Sequence, residues 1–149
     1  MVIKILRRLE SFLSVLSKIG LIKYWELKRD GVNYSRYQLF NKKWMVDLNI
    51  RNVLDIGANV GEFTLIFHHL FDAPIIHSFE PLPSCKVKLE SITATRPNIT
   101  FHPYALGAKE STEILHISSH APSSSLLKMG ALHKRDYPHS AGSSDVEIH

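Results

Sequence analysis

One cysteine, Cys85, occurs among the 149 residues, so no disulfide can form within the chain. This excludes the small folds that depend on disulfides and fits a reducing compartment, read here as the cytoplasm. A long apolar run is also missing. Arg7, Arg8 and Glu10 interrupt the apolar residues near the start, which excludes a membrane-spanning helix there and fits a secretory leader poorly. There is no sustained basic stripe. The net charge of +4 is scattered apart from small clusters at Lys4/Arg7/Arg8, Lys42/Lys43 and Lys134/Arg135, so no nucleic-acid partner is expected. No C-x-x-C or H-E-x-x-H pattern occurs. His68 and His69 are adjacent and point to different sides of a helix, while His116 and His120 fall in a strand and a loop, so no metal is expected. A nucleophile elbow and a Walker-type lysine are absent too.

The rest is ordinary for a globular chain: 44% hydrophobic and 21% charged residues, with a length for one domain at most. Residues 2–28 are helical in pattern, with Val2, Ile5, Leu6, Leu9, Phe12, Leu13, Leu16 and Ile19 at helical spacing and a break expected at Gly20. Residues 1–33 therefore read as an amphipathic helical segment that packs on the domain, packs on a partner subunit, or lies on a membrane surface through residues 2–19. A second helix is expected over 35–48, with Tyr37, Phe40, Trp44, Met45 and Leu48 as core positions. Strand 52–56, helix 60–71, strand 75–79, helix 84–94 and strand 99–105 follow, with Ser84 as N-cap and Val87, Leu89 and Ile92 apolar. Cys85 reads as a small packing residue. Glu113–Ile117 and the terminal DVEIH are strands, and 118–144 is a polar loop or lid with one helical turn at 125–130. Strands alternating with helices predict an α/β fold with a parallel sheet and right-handed crossovers over 34–149.

Residues 53–64, VLDIGANVGEFT, carry the most information. A strand ends at Asp55, Gly57 and Gly61 bracket a tight turn, and a helix follows. Nineteen residues after Gly61, Glu80 ends a second apolar run in IIHSFEP. Glycine lets the backbone approach a ligand, the helix start favours an anionic group, and an acid after the second strand accepts ribose hydroxyls. This is the layout of a nucleotide-type cofactor site. The middle glycine of G-x-G-x-x-G is absent, which disfavours a nicotinamide-dependent oxidoreductase. Asp55 suits a cofactor with a cationic amine, such as S-adenosylmethionine. The alternatives are that Asp55 caps the turn, that Glu80 is a solvated strand-end acid, and that Asn59 only stabilises the turn.

DIGANVG followed by SFEP resembles the FkbM family of S-adenosylmethionine-dependent methyltransferases. NITFHPYALGAKEST resembles that family's third strand, its A-L-G turn and the next strand, and PSSSLL resembles its serine-serine-leucine segment. The resemblance covers roughly 34–149 and implies a Rossmann-like, doubly wound, mostly parallel sheet. It further implies O-methylation of a sugar or other glycan, or of a small natural product. Asp55, Gly57, Ala58, Asn59, Gly61, Glu80 and Pro81 would hold S-adenosyl-L-methionine, with Tyr104, Ala105 and Leu106 near its adenine. The catalytic base is not assigned. Family members continue into a fourth core strand ending in D-x-E-G, so the chain reads as the N-terminal part of such a domain, incomplete at the C-terminus. A non-catalytic cofactor-binding or interaction module, self-associating through its open edge, is the alternative.

Overall fold

The computed structural model describes residues 2–118, 124–140 and 143–148, and forms two compact units. His120, Ser123 and His149 lie outside the described residues.

The first unit comprises the chain up to Arg51 together with Leu65–Pro74. Helices α1 (Val2–Ile19) and α2 (Leu21–Arg29) are separated at Gly20, whose φ of 78° only glycine adopts cheaply. The helix expected over 35–48 is two helices, α3 (Tyr34–Phe40) and α4 (Lys43–Val46). Asn33 caps α3, its side chain accepting the Arg36 N–H at 3.1 Å. Asn41 leaves the helix with ψ at 64° and Lys42 is extended, because asparagine competes with the helical backbone. The break destroys the helical phase of the aromatic stripe. Tyr37 is buried and the Phe40 ring meets Phe67 edge-on, but Trp44 and Leu48 are exposed.

His69 shows how this unit handles a buried polar group. Its Nε2 lies 2.9 Å from Asp30 Oδ2 and its Nδ1 lies 3.5 Å from Lys23 Nζ. Only the neutral ring protonated at Nε2 satisfies both, donating to the carboxylate and accepting from the ammonium. Burial pushes the His69 pKa down, Asp30 opposes that, and Lys23 adds to it. A histidine depressed in the folded state takes up its proton more readily when unfolded, so stability falls as pH drops below about 6.5. The melting temperature should therefore fall between about pH 7 and pH 5, and fall less in His69→Gln. Equal slopes for the two proteins would remove His69 from this account.

The second unit comprises Asn52–Thr64 and the chain from Ile75 onward. Strands β1 (Asn52–Ile56), β2 (Ile75–Phe79) and β3 (Ile99–His102) form a parallel sheet in that order. Helix α5 (Glu62–Leu70) follows β1 and α6 (Pro83–Thr93) follows β2. Helix α6 begins at Pro83 rather than after a Ser84 cap, because proline's fixed φ suits the first helical position. It buries Cys85, Leu89 and Ile92, while Val87 is exposed.

The sheet's two faces differ. On one, Ile76, Ser78 and Ile99 are buried. On the other, Leu54, Ile56 and Ile75 are exposed, at 63%, 63% and 51%. Parallel sheets normally have both faces covered. Strand β3 is shorter than expected, which leaves Tyr104–Leu106 in the following loop. Strand β4 (Glu113–Ser118) does not join this sheet but pairs antiparallel with β5 (Ser143–Ile148). His116 faces Asp145 across that pair, Nδ1 to Oδ1 at 2.7 Å. Within the segment expected as a loop, α7 (Ala131–Asp136) and a short 3-10 turn at Pro138–Ser140 replace the expected turn at 125–130, and Ser125 bridges to His116.

Candidate functional site

Parallel pairing puts the carboxyl ends of β1 and β2 side by side, with Asp55 opposite Ser78 and Ile56 opposite Phe79. The turn between β1 and α5 uses three left-handed residues in five, Gly57 (φ 80°), Asn59 (φ 51°) and Gly61 (φ 80°). The N–H groups of Gly57 and buried Ala58 both reach the Phe79 carbonyl, at 2.9 and 3.0 Å, and the Gly61 N–H reaches that of Ala58. Gly61 has a second constraint. A Cβ built there would lie 2.6 Å from Ile92 Cδ1 and 3.0 Å from Leu89 Cδ2. At Gly57 the same atom would meet nothing within 4 Å. One glycine thus serves the turn alone, and the other also lets α6 approach.

Glu80 is only 5% exposed. One carboxylate oxygen accepts the Asn59 N–H at 2.8 Å and the other accepts the Leu82 N–H at 2.9 Å, spanning half-buried Pro81. The solvated strand-end acid is thereby excluded. Glu80 ties the glycine turn to the start of α6, and two of its roughly four acceptor positions are taken by these amides. Asn59 is tied down on its other side, its Oδ1 accepting the Cys85 thiol at 3.4 Å. Burial pushes the Cys85 thiol up and Glu80 pushes it further, so it stays protonated and packs, as the sequence suggests. The amides of Gly57, Ala58, Asn59 and Gly61 all have acceptors within the protein. These four turn amides are thus engaged within the protein.

Asp55 lies on the covered face of the sheet. Its carboxylate accepts the Thr64 hydroxyl at 2.5 Å, and the Thr64 oxygen is 2.8 Å from the Ser78 hydroxyl. Thr64 and Ser78 are fully buried. Burial raises the Asp55 pKa, and the hydrogen bonds from Thr64 oppose this only in part. The carboxylate is thus held in an environment that disfavours its charge, with only Thr64 opposing that penalty. The sequence reading missed Thr64 and Ser78, since nothing marks them beyond a hydroxyl residue two after Glu62 and another at an inward strand position.

Tyr104, Ala105 and Leu106 come together elsewhere, in a cleft of about 860 Å³ beyond the end of β3. Its other walls include Lys109, Ser111, Glu113 and Leu126. None of the residues from Asp55 to Pro81 lines it. Beside it runs a chain of rings that the sequence reading also missed. The Tyr104 hydroxyl is 3.1 Å from His102 Nδ1, and His102 Nε2 is 2.9 Å from His77 Nδ1. Burial lowers the His102 pKa and His77 lowers it further, so His102 is neutral at pH 7. The pairing of β2 with β3 creates this cluster, which no sequence spacing reveals.

Among the described residues no group of three or more histidine, cysteine, aspartate or glutamate side chains is arranged to hold a metal. Comparison of the chain with protein-family profiles, with curated proteins and with solved structures finds no match.

Proposed function

We propose that this protein binds S-adenosyl-L-methionine at the carboxyl ends of β1 and β2, in a Rossmann-like, class I methyltransferase arrangement. The reaction it serves in this reading is O-methylation of a sugar, glycan or small natural product. One observation carries the reading. Two carboxylates, Asp55 and Glu80, stand at the ends of neighbouring parallel strands and flank a turn of left-handed residues. Ligands of α/β sheets bind outside the carboxyl ends of their strands.

The residues fit the cofactor in donor and acceptor type. Asp55 is a desolvated carboxylate whose charge a cationic group would stabilise. Glu80 keeps acceptor capacity for a ribose diol beyond the two amides it holds. Tyr104, Ala105 and Leu106 offer a partly apolar wall for adenine. The cofactor supplies a methyl group on a cationic sulfur. The protein's task is then mainly to orient the acceptor, worth several orders of magnitude in rate.

Isothermal titration with S-adenosylmethionine tests this. Binding is expected in the native chain, weakened about tenfold or more in Glu80→Gln, because a neutral amide is a poorer acceptor than a carboxylate. NAD should not compete. A folded chain, verified by circular dichroism, that releases no heat with the cofactor would overturn the reading.

The exposed sheet face of Leu54, Ile56 and Ile75 favours a second reading, a non-catalytic interaction module derived from such an enzyme. Cofactor binding without methyl transfer to any hydroxyl acceptor would favour it.

A further inference from the structure

Helices α1 and α2 carry an apolar surface that the cofactor site does not use. On α1 the apolar face has two flanks. Phe12, Val15, Leu16 and Ile19 are half-buried, and the Phe12 ring meets Tyr24 of α2 edge-on at 5.2 Å. Ile5, Leu9 and Leu13, each four residues from the next, form one exposed row, at 50%, 51% and 61%. Helix α2 adds exposed Leu21, Ile22 and Trp25. Lys28 sits over the Trp25 and Tyr24 rings, at 5.9 and 5.8 Å, so a cation lies beside the exposed indole.

The charge is as uneven as the hydropathy. Residues 2–29 hold seven Lys or Arg against two Glu, a net +5, while the rest of the chain is net −1. The protein's net positive charge thus sits on the two helices with the exposed apolar row. No helix among the described residues is long and apolar enough to cross a membrane. An apolar row, an excess of cations and an exposed tryptophan together match a surface with acyl chains below and negative charge above. A purely apolar protein groove would offer no counter-charge to the cations that Glu26 and Asp30 do not already pair.

We propose that α1 and α2 dock this protein on an anionic lipid surface. Ile5, Leu9 and Leu13 enter the acyl boundary, Trp25 sits at the headgroup level, and the net positive charge of residues 2–29, with Lys18 and Lys28 exposed on it, draws the anionic headgroups. The attachment is peripheral and weakens with salt.

Co-sedimentation of the full chain with two kinds of vesicle tests this, one of phosphatidylcholine alone and one with about one-third phosphatidylserine. Partition is expected to be at least tenfold greater on the anionic vesicles, and lost at about 0.5 M salt. Leu9→Glu and Leu13→Glu are solvent-facing and should keep the fold, yet each should lower partition by roughly tenfold. Lys18→Glu should lower it less. In a Trp44→Phe background, the Trp25 emission should shift to the blue on anionic vesicles. Failure to sediment, or partition indifferent to lipid charge or to Leu9→Glu, overturns the proposal. So does a dimer that Leu9→Glu dissolves in the absence of vesicle binding, which would assign the row to a second copy of the chain.

Discussion

Gly61→Ala is expected to destabilise the protein by about 3 kcal/mol, as two independent costs meet at one position. With φ at 80°, any side chain there is strained by roughly 1–2 kcal/mol. The added Cβ also falls 2.6 Å from Ile92 Cδ1, the end of a buried side chain that must shift to make room. Overpacking of that kind costs typically 1–3 kcal/mol. The melting temperature should drop by roughly 6–12 °C in a chain of this size. Gly57→Ala is the matched control. It has the same φ but open space, so only the backbone cost of about 1–2 kcal/mol remains. Comparable losses for the two variants in urea denaturation would show that helix approach at Gly61 contributes nothing.

Asp55→Asn is expected to separate stability from function. Burial raises the Asp55 pKa, so its carboxylate is a destabilising charge at neutral pH. An asparagine oxygen keeps one of the Thr64 hydrogen bonds and removes the charge. The variant should therefore melt no lower than the native protein at pH 7. The sign of the pH dependence follows from linkage. The folded protein binds the Asp55 proton more tightly than the unfolded chain does. Native stability therefore gains as pH falls through the folded pKa toward the unfolded value near 3.9. Asparagine does not titrate, so its advantage should be largest at neutral pH and shrink on acidification. Cofactor affinity should fall roughly thirtyfold or more, the usual cost of deleting one partner of a close charge pair. If instead the variant melts lower and binds unchanged, Asp55 is a cap for α5 and its acid has no ligand.

Glu80 and the turn it anchors make a third contrast. Glycine spacing suggested a backbone that a ligand can approach, and within that turn the amides of Gly57, Ala58 and Asn59 serve to join β1, β2 and the start of α6. A site on this scaffold would read its ligand through the side chains of Asp55 and Glu80 and through the loop after β3.

Much of this was legible in the residues themselves. Alternating apolar runs, Gly57 and Gly61, and the acids at two strand ends determined the order β1, α5, β2, α6, β3, because the chain's local periods and its positive-φ positions are properties of neighbours in sequence. The break at Gly20 and the packing role of Cys85 were readable for the same reason. Other features belong only to the tertiary structure. The exposure of Trp44 and Leu48 shows only in the packing, since their spacing alone matched Tyr37. Thr64 and Ser78 meet Asp55 because α5 and two strands converge there, and His77 meets His102 because of the register between β2 and β3. Strand β4 left the parallel sheet for an antiparallel partner 30 residues on, a choice that a strand's own pattern does not encode. Sequence determined the order of the β1–β3 segments and the helices between them. Tertiary structure decided which side chains face one another, because contacts between distant segments depend on pairing and packing rather than on spacing.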